Sequence, residues 1–180
     1  MSRILTVAIL SLAVTAACAE PARVAAEAPA APEFTHRAAA DWINSAPLTL
    51  AGLRGQVVLL DFWTFECWNC YRSLPWLNAV EQRYRNRGLK LIGVHTPEFE
   101  RERVRANIES KMRKHEVRYP VMMDNDYSYW NALNNRYWPA FYLLDQQGRI
   151  RAHYAGETHE GDAQARRIEA DIQTLLAEPT

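Results

Sequence analysis

The 180-residue chain has 21 basic and 21 acidic side chains, so its formal net charge at neutral pH is zero. This balance argues against a nucleic-acid-binding surface and against a polybasic patch for a membrane surface. Hydrophobic residues make up 48% of the chain and include six tryptophans, enough for one well-packed domain.

The first 19 residues have the composition of a secretory signal. A short basic start precedes an apolar stretch over residues 4–17, which is shorter than the roughly 20 apolar residues of a membrane span. Cleavage after Ala19 would discard Cys18, whereas the lipobox-like residues 15–18 would make Cys18 the lipidated first residue. With either outcome we expect an exported protein of the bacterial periplasm or cell envelope.

The next segment and the start of the domain differ in composition. Residues 20–40 are rich in alanine and proline, which predicts a flexible linker. We expect the folded domain over residues 41–180, with a short edge strand at residues 48–50. The run at 57–63 is almost wholly apolar and rich in β-branched residues, which predicts a strand buried on both faces.

A CxxC pair follows this strand directly. Two residues separate Cys67 from Cys70, so the two sulfurs can form a disulfide within one helical turn. A helix predicted over residues 67–87 would present Cys67 at its N-terminus, where free N–H groups and the helix dipole favour a thiolate. The thiolate attacks disulfides. No second cysteine pair follows to complete a zinc site, so the sequence predicts a redox enzyme without a further cofactor or metal.

The remainder of the chain alternates between strand and helix patterns. The predicted strands cover residues 89–95, 121–123, 140–144 and 150–155. The predicted helices cover residues 99–115, 127–136 and 162–177. The last two strands flank a turn and form a hairpin. This order predicts an α/β fold in which a central mixed sheet has helices on both faces.

These motifs resemble the thioredoxin superfamily, in particular exported TlpA-like proteins and the C-terminal domain of DipZ-type proteins. Residues 61–70 resemble the active-site segment, and Pro75 matches a proline in the active-site helix. Trp138-Pro139 stands where this family has a cis-proline. Residues 95–125 resemble the insertion that distinguishes TlpA-like proteins from plain thioredoxins. The resemblance implies a thioredoxin-like fold and a protein thiol–disulfide oxidoreductase.

The catalytic residues follow from the motif and from this resemblance. Cys67 is the expected nucleophile, and Cys70 is the thiol that resolves the mixed disulfide. Asp61 lies on a strand that is expected to be buried, and burial raises the pKa of a carboxyl group. By resemblance, Asp61 exchanges a proton with the resolving thiol, although a purely structural aspartate is the alternative.

Four further residues are expected to contact the substrate. Trp68 and Asn69 lie between the cysteines, and in this superfamily the intervening residues influence substrate choice and redox potential. By resemblance, the loop with Trp138 and Pro139 faces Cys67. A substrate segment would then add as a strand along the Trp138 backbone.

Glu66 is the most individual feature of the motif. A carboxylate beside the nucleophile should raise the pKa of Cys67, which would favour the disulfide and make the protein more reducing. A solvated side chain with little effect is the alternative.

The expected substrates are cysteine-containing envelope proteins, and a reductant of this kind needs a membrane electron donor of the CcdA or DsbD type. One alternative is a copper-binding, Sco-like metallochaperone or tethered binding module, in which His153 or His159 would join the two cysteines. A peroxidase of the TxxC type is a further alternative, but the proline expected four residues before Thr64 is replaced by Leu60.

Overall fold

The computed structural model describes residues 28–179, which form a six-stranded sheet with helices on both faces. The strands are β1 (Trp42–Ile43), β2 (Val57–Trp63), β3 (Leu89–His95), β4 (Val121–Met123), β5 (Ala140–Leu144) and β6 (Ile150–Ala155). The helices are α1 (Trp68–Tyr84), α2 (Arg105–Lys114), α3 (Ser128–Ala132) and α4 (Ala163–Ala177). The expected signal, including Cys18, lies outside the described residues.

Strand β2 lies at the centre of the sheet, whose order is β1-β4-β3-β2-β5-β6. It pairs in parallel with β3 and antiparallel with β5. All seven of its residues are buried, which confirms the strand predicted at residues 57–63. Because β2 and β3 are parallel, they end at the same edge of the sheet. The loops that follow them, one leading to the CxxC pair and the other to α2, are therefore neighbours.

Helices α1, α2 and α4 cover one face of the sheet. Their apolar residues pack against Leu59 and Trp63 of β2 and against Leu91 of β3 in one core cluster. Helix α1 gives way to a short 3-10 turn that ends at Gly88, which has a φ of 99° and can adopt this left-handed conformation without strain. None of the described helices is both long enough and apolar enough to cross a membrane.

The opposite face is covered by α3 and by the segment before β1. Phe34 is 1% exposed, and its ring lies 5.4 Å from that of Trp42 and 5.3 Å from that of Tyr129. Ala30 forms a β-bridge with Arg149. The structure thus differs from the linker expected over residues 20–40, because residues 28–40 lie against the domain. Burial of the Phe34 ring stabilises this segment against the domain, although the alanine- and proline-rich composition around it is typical of a linker.

The edge strand predicted at residues 48–50 is wrong, since these residues form no strand and the edges of the sheet are β1 and β6. Leu50 turns into the core, and its backbone N–H donates to the Glu33 carboxylate at 2.7 Å instead of to a neighbouring strand. The other predicted strands match β3, β4, β5 and β6.

Two predicted helices are shorter than expected. The segment 99–115 divides into a 3-10 turn at Glu100–Arg103 and helix α2, because Val104 between them is extended and 49% exposed. The segment 127–136 contains only α3. Tyr127 before it and Asn134 after it both have positive φ, which helical residues do not adopt.

Candidate active site

The two cysteines occupy the first turn of α1. Cys67 is the N-cap residue and is partly exposed, whereas Cys70 is 1% exposed. They form a disulfide with Cα atoms 5.2 Å apart, and the Cys70 N–H lies 3.2 Å from the Cys67 sulfur, to which it donates. After reduction, this N–H and the helix N-terminus stabilise a negative charge on Cys67. An incoming disulfide can reach Cys67 but not Cys70.

Asp61 lies within β2 and is completely buried. Its Oδ2 accepts a hydrogen bond from the Tyr119 hydroxyl at 3.3 Å, and its Oδ1 has no hydrogen-bond partner among the described residues. Desolvation raises the pKa of Asp61 to about 7, while the Tyr119 hydrogen bond acts in the opposite direction. This carboxyl group can therefore gain and lose a proton near neutral pH.

Gly93 makes the contact between Asp61 and Tyr119 possible. It pairs with Asp61 across β2 and β3, and a Cβ atom there would lie 3.0 Å from Trp63 Nε1 and 3.3 Å from the Tyr119 ring. No sequence pattern marks Gly93 or Tyr119 as part of the site. Burial raises the pKa of Tyr119 well above its usual value, so its hydroxyl remains a donor.

His95, at the end of β3, is a further buried titratable group of this region. Its ring lies 5.0 Å from that of Trp63 and 5.7 Å from that of Phe65, the residue two positions before Cys67. Neither ring nitrogen has a hydrogen-bond partner among the described residues. Desolvation lowers the pKa of His95 to about 3, so the imidazole is neutral at physiological pH.

The expected substrate-contacting residues lie at the surface around the pair. Trp68 is 69% exposed and Asn69 is also exposed. The Trp138–Pro139 peptide bond is cis, as the resemblance implied. Trp138 is half-buried on the Trp130 ring, and Cys67 and Trp138 both border the same core cluster. Tyr137, which the sequence analysis did not single out, is 58% exposed beside this cis-proline.

Glu66 is exposed but paired. The Nε and Nη2 atoms of Arg101 each lie 3.1 Å from one of its carboxylate oxygens. Hydrogen bonding to Arg101 lowers the pKa of Glu66, so the group is a carboxylate whose charge faces a guanidinium. The rise in the Cys67 pKa that is expected from Glu66 is therefore opposed by Arg101 on the neighbouring loop.

Glu102 is a completely buried carboxylate that the sequence analysis missed. One oxygen accepts from the Thr64 hydroxyl at 2.5 Å and from the Glu66 N–H at 2.8 Å. The other accepts from the N–H groups of Glu98 and Phe99 at 2.6 and 2.7 Å. A glutamate in a charged segment is typical of a solvated helix face, so local sequence gives no signal for this role. Glu102 links the loop after β2 to the loop after β3.

The structure does not bring together the ligands of the copper alternative. His153 packs on the Tyr142 ring at 4.4 Å, and His159 pairs with Glu157. Within residues 28–179, one group of three histidine, cysteine or acidic side chains lies close enough together to share a metal ion. It consists of His36, Asp124 and Asp126. The structure does not support the peroxidase alternative either, because the hydroxyl of Thr64, the threonine of the TxxC fragment, donates to Glu102.

Comparison with known proteins identifies relatives of this fold and motif. The AhpC/TSA family model matches residues 28–153. Protein DipZ of Mycobacterium bovis is 43% identical over 119 residues, which are 64% of this chain and 17% of DipZ. The chain thus spans about a sixth of the length of that relative.

Two further matches extend over nearly the whole of the related protein. Thiol-disulfide oxidoreductase YkuV of Bacillus subtilis is 26% identical over 147 residues, covering 82% of this chain and 94% of YkuV. The solved structure of a thioredoxin-like superfamily protein superposes with a TM-score of 0.74 at 27% identity, covering 85% of this chain and 99% of that one. The expected thioredoxin-like fold is confirmed.

Proposed function

The chain belongs to the AhpC/TSA family, and we propose that it is an exported thiol–disulfide oxidoreductase that exchanges disulfides with cysteine-containing envelope proteins. The observation that carries this proposal is the unequal exposure of the two cysteines at the start of α1. Cys67 is open to another molecule and lies where a thiolate is stabilised, while Cys70 is buried one turn further in. This is the arrangement that a nucleophile and a resolving thiol require.

The reaction with a substrate disulfide takes two displacements. The Cys67 thiolate attacks one substrate sulfur, so a mixed disulfide forms and the other substrate sulfur leaves as a thiolate. Cys70 then loses its proton and attacks the Cys67 sulfur, which forms the Cys67–Cys70 disulfide and releases the second substrate thiolate. Two electrons pass from the protein to the substrate, whose thiolates take up protons.

Asp61 is the proposed acceptor of the Cys70 proton. The Tyr119 hydrogen bond places its carboxyl group on the face of β2 that α1 covers, which is also the face on which Cys70 is buried. A pKa of about 7 leaves a substantial fraction of Asp61 ionised at neutral pH and able to accept a proton.

The proposed direction is reduction of the substrate. A buried carboxylate beneath the pair opposes thiolate formation, which favours the disulfide and makes the couple more reducing. Such a reductant must be reduced again after each cycle, and we assign this step to a membrane electron donor of the CcdA or DsbD type. The substrate would pass between Trp68 and Asn69 on one side and the Trp138-Pro139 loop on the other.

Trapping of the mixed disulfide tests the function. We expect Cys70→Ser to accumulate a covalent adduct with a disulfide-bonded test protein, because Cys67 still attacks and nothing resolves the adduct. Non-reducing electrophoresis and mass spectrometry would identify the linked cysteine. Cys67→Ser, the matched control, should form no adduct and lose activity, and an equally active Cys67→Ser protein would contradict the assignment.

A further inference from the structure

The residue before the nucleophile is held by two consecutive residues of the loop between β3 and α2. Arg101 binds the Glu66 carboxylate, and Glu102 accepts the Glu66 backbone N–H. Building on the proposed function, we propose that Arg101 and Glu102 are positioning residues for Cys67. Together, as the Glu66 clamp, they fix the turn that carries the sulfur and counter the negative charge beside it.

Glu102 acts on the backbone of this turn. Its Oε1 accepts from both the Thr64 hydroxyl and the Glu66 N–H, while the Thr64 carbonyl accepts the Cys67 N–H at 3.3 Å. The turn from Thr64 to Cys67 is therefore held at both its side chain and its backbone by one buried carboxylate. Its Oε2 accepts the N–H groups of Glu98 and Phe99, in the loop after β3. A glutamine side chain has only one acceptor oxygen, so it could accept hydrogen bonds from only one of the two loops.

Arg101 acts on the charge. Its two contacts to Glu66 have the bidentate geometry that favours an arginine–carboxylate pair. Without this partner, the Glu66 carboxylate would lie next to a sulfur that must become negative, and like charges oppose each other's ionisation. Because the Arg101 side chain is 57% exposed, water and salt weaken the pair, and the effect should be moderate.

Other charged and titratable groups surround the same turn. The Lys111 ammonium on α2 lies 5.4 Å from the centre of the Phe65 ring. The buried groups beneath are Asp61 and His95. None of these three residues is replaced in the substitutions below, so a change in the pKa or reaction rate of Cys67 is attributable to the clamp.

The charge effect is tested by titrating the reduced protein alone, following thiolate absorbance in the ultraviolet. At a pH below the Cys67 pKa, we expect Arg101→Gln to lower the fraction of Cys67 that is ionised by about threefold to tenfold. Adding Glu66→Gln to Arg101→Gln should return the thiolate fraction towards the wild-type value, because the carboxylate left without a partner is then gone. Arg103→Gln, which removes an exposed arginine of the same loop paired with Glu100, is the matched control and should match the wild type.

The backbone effect is tested by the rate at which Cys67 reacts with a small disulfide, corrected for its thiolate fraction. We expect Glu102→Gln to lower this rate at least tenfold, and to do so equally in the Glu66→Gln background, because the contact is to the peptide N–H. If Glu102→Gln does not fold, Thr64→Val takes its place in the test. This substitution removes one hydroxyl donor to Glu102, so we expect a smaller loss of rate. Thr64→Ser should retain the wild-type rate.

The outcomes separate this inference from the proposed function. If Arg101→Gln leaves the thiol titration unchanged, or if adding Glu66→Gln does not reverse its shift, the charge assignment is overturned. If Glu102→Gln and Thr64→Val lower stability but leave the corrected rate at the wild-type value, Glu102 is only structural. A wild-type Cys67 that never reacts with a disulfide would contradict the proposed function, whereas the titration of the thiol is independent of any substrate.

Discussion

Two aspartates, Asp61 and Asp124, are completely buried, yet their surroundings differ. Asp124, directly after β4, accepts the N–H groups of Tyr129 and Trp130, both at 2.9 Å, and the Thr96 hydroxyl at 3.1 Å. Its Oδ1 also lies 3.1 Å from a ring nitrogen of His36. Asp61, by contrast, accepts one hydrogen bond of 3.3 Å, from a hydroxyl group.

The difference indicates which buried carboxylate serves structure and which serves chemistry. Several donors satisfy a buried carboxylate and tie together the elements that supply them, as the donors to Asp124 do for α3 and the end of β3. A carboxylate with one donor is poorly stabilised when charged, so its proton can leave and return near neutral pH. Glu102 belongs with Asp124 in this comparison, because it also accepts several hydrogen bonds, from one hydroxyl and three backbone N–H groups.

The largest expected effect concerns the pH dependence of stability at Asp61. Its pKa of about 7 in the folded protein exceeds the ordinary value of 3.8, so folding retains a proton that the unfolded chain releases. The wild type should lose stability as the pH rises from about 4 to about 7, whereas Asp61→Asn has no charge to bury. Across this window the variant should gain about 4 kcal/mol relative to the wild type.

Urea unfolding of the oxidised proteins at pH 4, 6 and 8 measures this difference in the free energy of unfolding. Parallel pH dependences for the wild type and the variant would show that the folded protein does not retain the Asp61 proton. The comparison between the two aspartates would then fail.

At Asp124 we expect a loss of stability without a redox effect. Asp124→Ala leaves two backbone N–H groups and the Thr96 hydroxyl buried without their acceptor, which should lower the free energy of unfolding by about 3 kcal/mol. Asp126→Ala is the control, because this neighbouring carboxylate is 66% exposed. A change below 1 kcal/mol at Asp124, or an altered Cys67–Cys70 potential, would contradict the structural role.

The effect expected at His95 is smaller and has the opposite pH trend. Its pKa of about 3 in the folded protein lies below the ordinary value of 6.5, so the unfolded chain binds a proton that the folded protein excludes. Wild-type stability should fall as the pH drops from about 6.5 towards 3. At pH 5, His95→Phe should remove a destabilisation of about 2 kcal/mol.

Urea unfolding at pH 5 and pH 8 measures this effect. The replacement of His159, whose side chain is 44% exposed, by glutamine serves as a surface control. If His95→Phe shows the same loss of stability in acid as the wild type, the imidazole is not the buried base that the structure indicates.

The features that the sequence predicted correctly depend on local pattern. Strand β2 is an almost wholly apolar run, and the spacing of Cys67 and Cys70 is explicit in the chain. The contacts that define the site are long-range. Glu102 lies 38 residues from Thr64, and Tyr119 lies 58 residues from Asp61. No periodicity connects such residues. The parallel pairing of β2 with β3 brings the loops of Thr64 and Glu102 together, and the pairing of β3 with β4 brings Tyr119, which lies just before β4, towards Asp61.

The most direct test of the account is the reduction potential of the Cys67–Cys70 couple as a function of pH, for the wild type and Asp61→Asn. We predict a two-electron equilibrium with dithiothreitol or glutathione at a reducing value near −270 mV, roughly that of thioredoxin. Because the Cys67 thiolate should raise the Asp61 pKa further in the reduced form, Asp61 takes up a proton on reduction just above pH 7. The slope of potential against pH should therefore be steeper there in the wild type than in Asp61→Asn. A value near roughly −120 mV, or the same slope in both proteins, would contradict the proposed direction or the role of Asp61 respectively.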